Sequence, residues 1–318
     1  MISRRESVKI TALVALSALA LSAAPFVGPS FPGEASDFIF WQLRVPRVLM
    51  AALVGGTLSL VGAVYQTLFL NPLASPSTVG TTAGATLGAL IAIVYGLGRL
   101  SWGISIVVLF AFIGALVASL VVTMVAVRGR VRVNDIVLVG ISCSLAAAAL
   151  SSGILASADT NAAAAAVRWS IGHLPQVGYR GVLFMLPISA LTAVALLGLS
   201  RSLDTLAAGE EVAHSRGVHV ALVRAAAIGC GSLGVAGCVA WCGPIAFVEL
   251  IVPHIVRLIV GARRGVVLPM SMVVGAAFLA LCDAGARTVL AGRELPVGVI
   301  TAALGAPALL WLVARQPR

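Results

Sequence analysis

Ile104-Ser105-Ile106-Val107-Val108-Leu109-Phe110-Ala111-Phe112-Ile113-Gly114-Ala115-Leu116-Val117-Ala118-Ser119-Leu120-Val121-Val122-Thr123-Met124-Val125-Ala126-Val127 runs without one charged side chain and is closed by Arg128-Gly129-Arg130-Val131-Arg132. A helix that crosses a bilayer needs about 20 predominantly apolar residues. In hydrocarbon only a helix or a closed barrel bonds all of its own backbone groups. This run is long enough to cross, and the arginines after it mark the side on which it stops.

Working outward, the chain repeats the pattern at Ile10–Val27, Val48–Leu70, Val79–Leu97, Ile136–Ser157, Val182–Ser200, Val220–Trp241, Ile245–Val260, Val267–Ala286 and Val297–Val313. The sequence therefore predicts an all-α membrane protein of about ten transmembrane helices, forming one domain over residues 1–318. Composition demands the same. Hydrophobic residues make up 60% of the chain and charged residues 10%, where soluble domains carry about 25% charged residues. So little charge cannot cover a globule, and the surplus apolar surface must meet lipid. The 33 glycines suit closely packed membrane helices.

The net charge of +10 comes almost wholly from arginine. These arginines sit in short loops between apolar runs and form no basic face, which argues against a nucleic-acid partner. Cytoplasmic loops carry the excess of Arg and Lys. With the N-terminus inside, thirteen basic residues fall inside (Arg4, Arg5, Lys9, Arg128, Arg130, Arg132, Arg201, Arg216, Arg224, Arg263, Arg264, Arg315, Arg318). Seven fall outside (Arg44, Arg47, Arg99, Arg168, Arg180, Arg287, Arg293). Both termini are expected to be cytoplasmic. Arg4-Arg5-Glu6-Ser7-Val8-Lys9 is like the start of a signal peptide, but the apolar stretch behind it is read as the first membrane helix.

Cys143, Cys230, Cys238, Cys242 and Cys282 all lie in apolar runs. Cys238 and Cys242 have helical spacing, but only Glu249 is near enough in sequence to help hold a metal. They read as small buried residues, with neither a disulfide framework nor a metal site expected.

Two loops stand out. Ser157–Tyr179 contains the alanine-rich Asn161–Val167, then Arg168-Trp169-Ser170-Ile171-Gly172-His173. It is too short to span and reads as a half-helix at the outer surface, at about residues 161–172. Ser202–His219 is the most polar interhelical stretch, with Asp204, Glu210, Glu211, His214, Arg216 and His219. Gly209 and Gly217 punctuate it, so it reads as two short cytoplasmic helices over about residues 203–219. From composition alone it is either a solvated linker or a grip for a partner protein.

Five strings then follow one another in order: Arg44-Val45-Pro46-Arg47 with Gly62-Ala63-Val64-Tyr65-Gln66; Asn71-Pro72-Leu73-Ala74-Ser75-Pro76; Gly209-Glu210-Glu211-Val212-Ala213; Gly243-Pro244-Ile245-Ala246-Phe247 with Pro253-His254-Ile255-Val256-Arg257; and Asp283 with Arg287, then Glu294-Leu295-Pro296-Val297-Gly298. Together they resemble the FecCD-type permeases, also represented by the BtuC type. These are the membrane subunits of type II ABC importers for ferric siderophores, haem and cobalamin. The resemblance runs from about Arg44 to Trp311.

The resemblance implies a homodimer in the bacterial inner membrane with the pore on its two-fold axis. Two cytoplasmic ATPase subunits lie below, and a periplasmic substrate-binding protein docks above. ATP would be used by the partner, since the chain has no G-x-x-x-x-G-K-[ST] loop of its own. It implies that Arg44, Arg47 and Arg287 grip carboxylates of the binding protein, a task that suits the fixed fork of arginine. Interfacial snorkelling, or pairing of Arg287 with Asp283 one turn away, are the structural alternatives, and Arg293 is a further docking candidate. Asn71 and Leu73 would narrow the cytoplasmic gate, with Val131–Asp135 matching loosely as its second element. Glu210, Glu211, Ala213 and Gly217 would couple to the ATPase. Arg216, where the family has leucine, alters that contact.

Glu249 stands where the family has a small residue, and marks either the translocation path or a helix–helix hydrogen bond. Arg257 is expected to reach the headgroups or pair with a neighbouring helix. His173 is the one histidine placed outside, near the pore mouth. No permanently bound cofactor is expected. Haem is the leading substrate, with a ferric siderophore and cobalamin behind it. An ion-driven secondary transporter would want intramembrane acids in both halves, and Glu249 and Asp283 lie in the second half alone. An integral-membrane enzyme would want clustered His or acidic residues.

Overall fold

The computed structural model describes residues 4–28, 35–98, 105–127, 133–174, 178–290 and 294–314, and among these every regular element is helical. Arg99, Arg128, Arg130, Arg132, Arg293, Arg315, Arg318 and the start of the Val131–Asp135 loop lie outside the described residues.

Helix α1 (Arg4–Ala23) ends in a 3-10 turn, Ala24–Phe26. A short α2 (Ala35–Phe38) passes through a π-helical stretch, Ile39–Arg44, into α3 (Val45–Leu68). Pro46 has no N–H to offer the carbonyl of Gln42, four residues back. That carbonyl accepts instead from Gly178 N at 2.9 Å, and the Tyr179 hydroxyl donates to the neighbouring Trp41 carbonyl at 2.8 Å.

Helices α4 (Thr81–Val94), α5 (Ile106–Val127) and α6 (Val133–Ala156) follow, then the short α7 (Thr160–Ser170) and α8 (Arg180–Gly198). Two small helices, α9 (Ser200–Ala207) and α10 (Glu210–Ser215), lead into α11 (Val220–Cys242), α12 (Val248–Val260), α13 (Arg264–Thr288) and α14 (Val297–Ala314).

Among the described residues, seven spans are long and apolar enough to cross a membrane by themselves. With the shorter α4, α12 and α14 they account for the ten predicted crossings, and an even number leaves both chain ends on one face. The third crossing from the end is shorter than expected. The sequence places its start at Ile245, but the helix begins at Val248. Gly243 (φ 68°), Pro244 and left-handed Phe247 (φ 73°) hold the chain out of helix before it. At 13 residues, α12 is about 20 Å long, less than the hydrocarbon thickness of about 30 Å. Non-helical backbone is tolerated at such depth when protein surrounds it, and Ile245 beside the break is 5% exposed.

The core forms around α3, which packs on α8, α11, α12 and α13, while α4 packs on α5 and α6 and α11 touches both groups. Hydropathy does not rank burial. The α5 span is the most apolar, at 2.8, yet only 22% of it is buried, while the α3 span, at 2.0, is 83% buried. Lipid is as apolar as leucine, so it accepts α5 directly. Packing between helices instead selects small residues that let backbones approach. Gly62 of α3 is such a place: a Cβ there would overlap the Glu249 carbonyl of α12. Gly84 of α4 and Gly114 of α5 face each other in the same way.

Candidate functional site

The bundle carries a polar cluster at each end. At the outer end, Arg47 at the start of α3 donates Nε–H to Asp283 Oδ1 at 2.8 Å and Nη1–H to Glu294 Oε2 at 2.7 Å. Arg287, one turn beyond Asp283 on α13, places Nε 3.2 Å from Asp283 Oδ2. Its two terminal nitrogens donate to the carbonyls of Val27 and Ala24, each at 3.0 Å. Asp283 is fully buried, and Arg47 and Arg287 are 7% and 8% exposed.

Arg47 and Arg287, the expected docking residues, are both engaged within the chain. Both charges are sunk among helix ends, where desolvation is tolerable only because internal carboxylates and carbonyls answer them. For Arg287, pairing with Asp283 is the arrangement observed. Arg44 is half-buried and donates to the Pro25 carbonyl at 3.5 Å. Glu294, to which the sequence reading gave no role, is the carboxylate that occupies Arg47 from the exposed side. Its place in the Glu294-Leu295-Pro296 string was the only signal of it.

Beside this cluster lies a cavity of about 580 Å³, bordered by Arg47, Arg168, Trp169, His173, Trp241 and Glu294 among others. Helix α7 forms one wall and begins where the sequence puts it. The Asp159 side chain caps it, accepting from Ala162 N at 2.7 Å. The His173 backbone N–H donates to the Cys242 carbonyl at 2.7 Å, which ties this wall to the end of α11. The imidazole reaches solvent but sits in a recess with much protein around it. That partial desolvation, with the Arg47 charge nearby, lowers the His173 pKa below the usual imidazole value.

At the inner end, α3 closes in an exposed turn. Leu70 is left-handed (φ 48°), Asn71 N donates to the Gln66 carbonyl at 3.2 Å, and Leu73 N donates to Asn71 Oδ1 at 2.9 Å. Asn71 and Leu73 are exposed, with Leu73 at 46%. Across from them α9 and α10 form the predicted pair of short helices. Gly209 (φ 120°) and Gly217 (φ 75°) take conformations that disfavour side chains. Ala213 is fully buried beneath the hairpin, while Glu210 and Glu211 open α10 where acids favour a helix N-terminus. Arg224 of α11 forms an ion pair with Glu210, and Asp204 of α9 accepts from Arg264 N at the start of α13 at 3.0 Å. The pairing of Arg224 was not foreseen; the signal was an arginine set within an apolar helix.

In the interior, Arg257 bonds the side-chain oxygen of Gln66, while the Gln66 amide donates to the carbonyls of Glu249 and Leu250 at 3.3 and 3.2 Å. Arg257 thus pairs with a neighbouring helix. Glu249 is buried, and its Oε2 has no hydrogen-bond partner among the described residues. Glu249 and His173 do not converge, since His173 lies in the outer cavity and Glu249 packs under Gly62 within the bundle. No group of three or more His, Cys, Asp or Glu fit to hold a metal occurs among the described residues.

The helical bundle thus holds a short broken helix, a charged outer recess and a clamped polar hairpin at the opposite end. Comparison with known proteins gives its class. Residues 7–315 match the FecCD transport family. The chain is similar to the cobalamin import permease BtuC of Halobacterium salinarum, with 36% identity covering 88% of this chain and 74% of that protein. It is also similar to the vitamin B12 import permease BtuC of Escherichia coli, with 34% identity covering 90% and 88%. A solved metal-chelate type ABC transporter in an inward-facing conformation superimposes with a TM-score of 0.86 at 29% identity, covering 96% of this chain and all of the other. The chain belongs to the FecCD transport family, as a multi-pass protein of the inner, or cell, membrane.

Proposed function

We propose that the chain is one half of a homodimeric pore that passes a metal chelate of corrinoid or porphyrin size inward. The substrate comes from a periplasmic binding protein, and two ATPase subunits below do the work. This subunit has no nucleotide chemistry of its own and binds no permanent cofactor; the chelate is cargo. The observation that carries the reading is the α9–α10 hairpin, joined to two long helices by Glu210–Arg224 and Asp204–Arg264. A loose linker would transmit nothing, whereas a hairpin fixed to α11 and α13 turns a push from below into helix movement.

Cobalamin stands first among substrates, because two relatives that match most of the chain carry that name. Haem, favoured by the sequence reading, and a ferric siderophore follow. Asn71 and Leu73 form the inner constriction with their two-fold mates. Arg44 serves the outer docking face. Arg47 joins it when an incoming carboxylate replaces Glu294.

The experiment is uptake into vesicles holding this chain with its ATPase and binding protein, offered cobalamin, haem and a ferric siderophore in turn. ATP-dependent uptake of one of them, lost on deleting residues 203–219, supports the reading. Uptake without the ATPase, or undiminished uptake by the deletion variant, overturns it.

A further inference from the structure

The inner turn that carries Asn71 and Leu73 is held from both sides by one helix. Before the turn stands Tyr65 on α3, and after it stands Thr81, the first residue of α4; both are fully buried. The Tyr65 hydroxyl donates to the Ile228 carbonyl of α11 at 3.0 Å and lies 3.2 Å from Ser232 Oγ. Thr81 Oγ1 lies 3.2 Å from the same Ser232 Oγ. Each hydroxyl has one proton. With the Tyr65 proton on Ile228, the order that uses each proton once runs from Thr81 to Ser232, to Tyr65, to the Ile228 carbonyl. Ser232 is fully buried too, so a broken link leaves a polar group unanswered in an apolar interior. The contact is close-fitting: a Cβ at Gly231 would meet the Tyr65 ring.

Arg224, Ile228 and Ser232 are spaced by four along α11, which puts them on one stripe of the helix. The stripe begins at the Glu210 ion pair with the coupling hairpin. It ends on the two residues that bracket the gate turn.

We propose that Tyr65, Ser232 and Thr81 are positioning residues for transport, forming a buried hydroxyl relay through which displacement of the α10 hairpin, carried by α11, moves both ends of the Leu70–Ser75 turn together. The proposal rests on the importer reading above. It assigns the transmission from hairpin to gate to a short stripe of α11 instead of the bundle as a whole.

The test replaces Tyr65→Phe and, separately, Ser232→Ala, each removing one hydroxyl and keeping most of the packing. Thr57→Val is the control, because it removes an equally buried side-chain hydrogen bond, Thr57 to Ser189 at 3.0 Å, off this stripe. Two quantities are read in vesicles with the partner subunits: chelate moved per ATP hydrolysed, and the nucleotide-dependent change in labelling of Leu73→Cys by a thiol reagent. The labelling background carries Cys143→Ser and Cys230→Ser. The proposal expects both Tyr65→Phe and Ser232→Ala to lower chelate per ATP at least fivefold and to flatten the labelling change, with Thr57→Val like the parent. It is overturned if the two variants keep the parent's ratio and labelling change, or if Thr57→Val loses them equally. A parent assembly with no nucleotide-dependent uptake overturns the importer reading itself and the relay with it, so the two failures are told apart.

Discussion

The Arg47 guanidinium holds the Asp283 carboxylate at 2.8 Å, joining α3 to α13 across 236 residues of chain. Asp283 also answers Arg287, so one fully buried carboxylate serves two buried cations. Removing it leaves both uncompensated. Asp283→Asn should destabilise the chain by about 3–5 kcal/mol, the usual result of breaking a buried pair from one side. Arg47→Lys should cost less but still be measurable, since one ammonium cannot reproduce a fork that reaches Asp283 and Glu294 together. Unfolding midpoints of detergent-purified protein check both. An Asp283→Asn midpoint equal to the parent's would show that the pair contributes nothing.

Glu294 occupies the side of Arg47 that a docking carboxylate would approach. Glu294→Gln should weaken that internal contact and raise affinity for the periplasmic partner about fivefold at low salt, with the gain shrinking as salt screens the charges. Surface-immobilised binding measurements across a salt series decide it. Unchanged or weaker binding would mean that Arg47 is a structural residue only.

Gly62 lets α3 lie on the backbone of α12 at Glu249. Even Gly62→Ala should push the two helices apart and break the Gln66 contacts one turn on, cutting the yield of folded protein in membranes several-fold. Gly153→Ala, which would meet nothing within 4 Å, should leave yield unchanged. Equal yields from the two variants would refute the close crossing.

His173 has a depressed pKa in the folded protein, chiefly from desolvation and then from Arg47. The unfolded chain therefore binds more protons at this residue in the window below about pH 6.5, so stability there rises with pH and is lost as pH falls. His173→Gln should reduce the rise in unfolding midpoint between about pH 5 and pH 7. An identical pH profile for parent and variant would contradict this.

Much of this protein was legible in residue order. The ten apolar runs, the alanine-rich outer half-helix, and the inner hairpin punctuated by Gly209 and Gly217 each rest on local chemistry: apolar length, a short run of helix formers, a glycine break. The short α12 was less so, because the brake on it lies in backbone angles at Gly243 and Phe247. The sequence also could not say which apolar helix is central, since α5 outranks α3 in hydropathy and yet faces outward.

The site divides in the same way. Residue types and order alone determined that Arg44, Arg47 and Arg287 gather at one end of the bundle and Glu210, Asn71 and Leu73 at the other, because alternating spans fix sidedness. Only the tertiary structure decided that Arg47 and Arg287 are spent on Asp283 and Glu294, that Arg224 meets Glu210, and that Tyr65, Ser232 and Thr81 share a buried contact. Those outcomes depend on which helices touch, and in a bilayer that choice follows from close packing at small residues and from the need to satisfy every buried polar group. Neither condition is written in any single stretch of the chain.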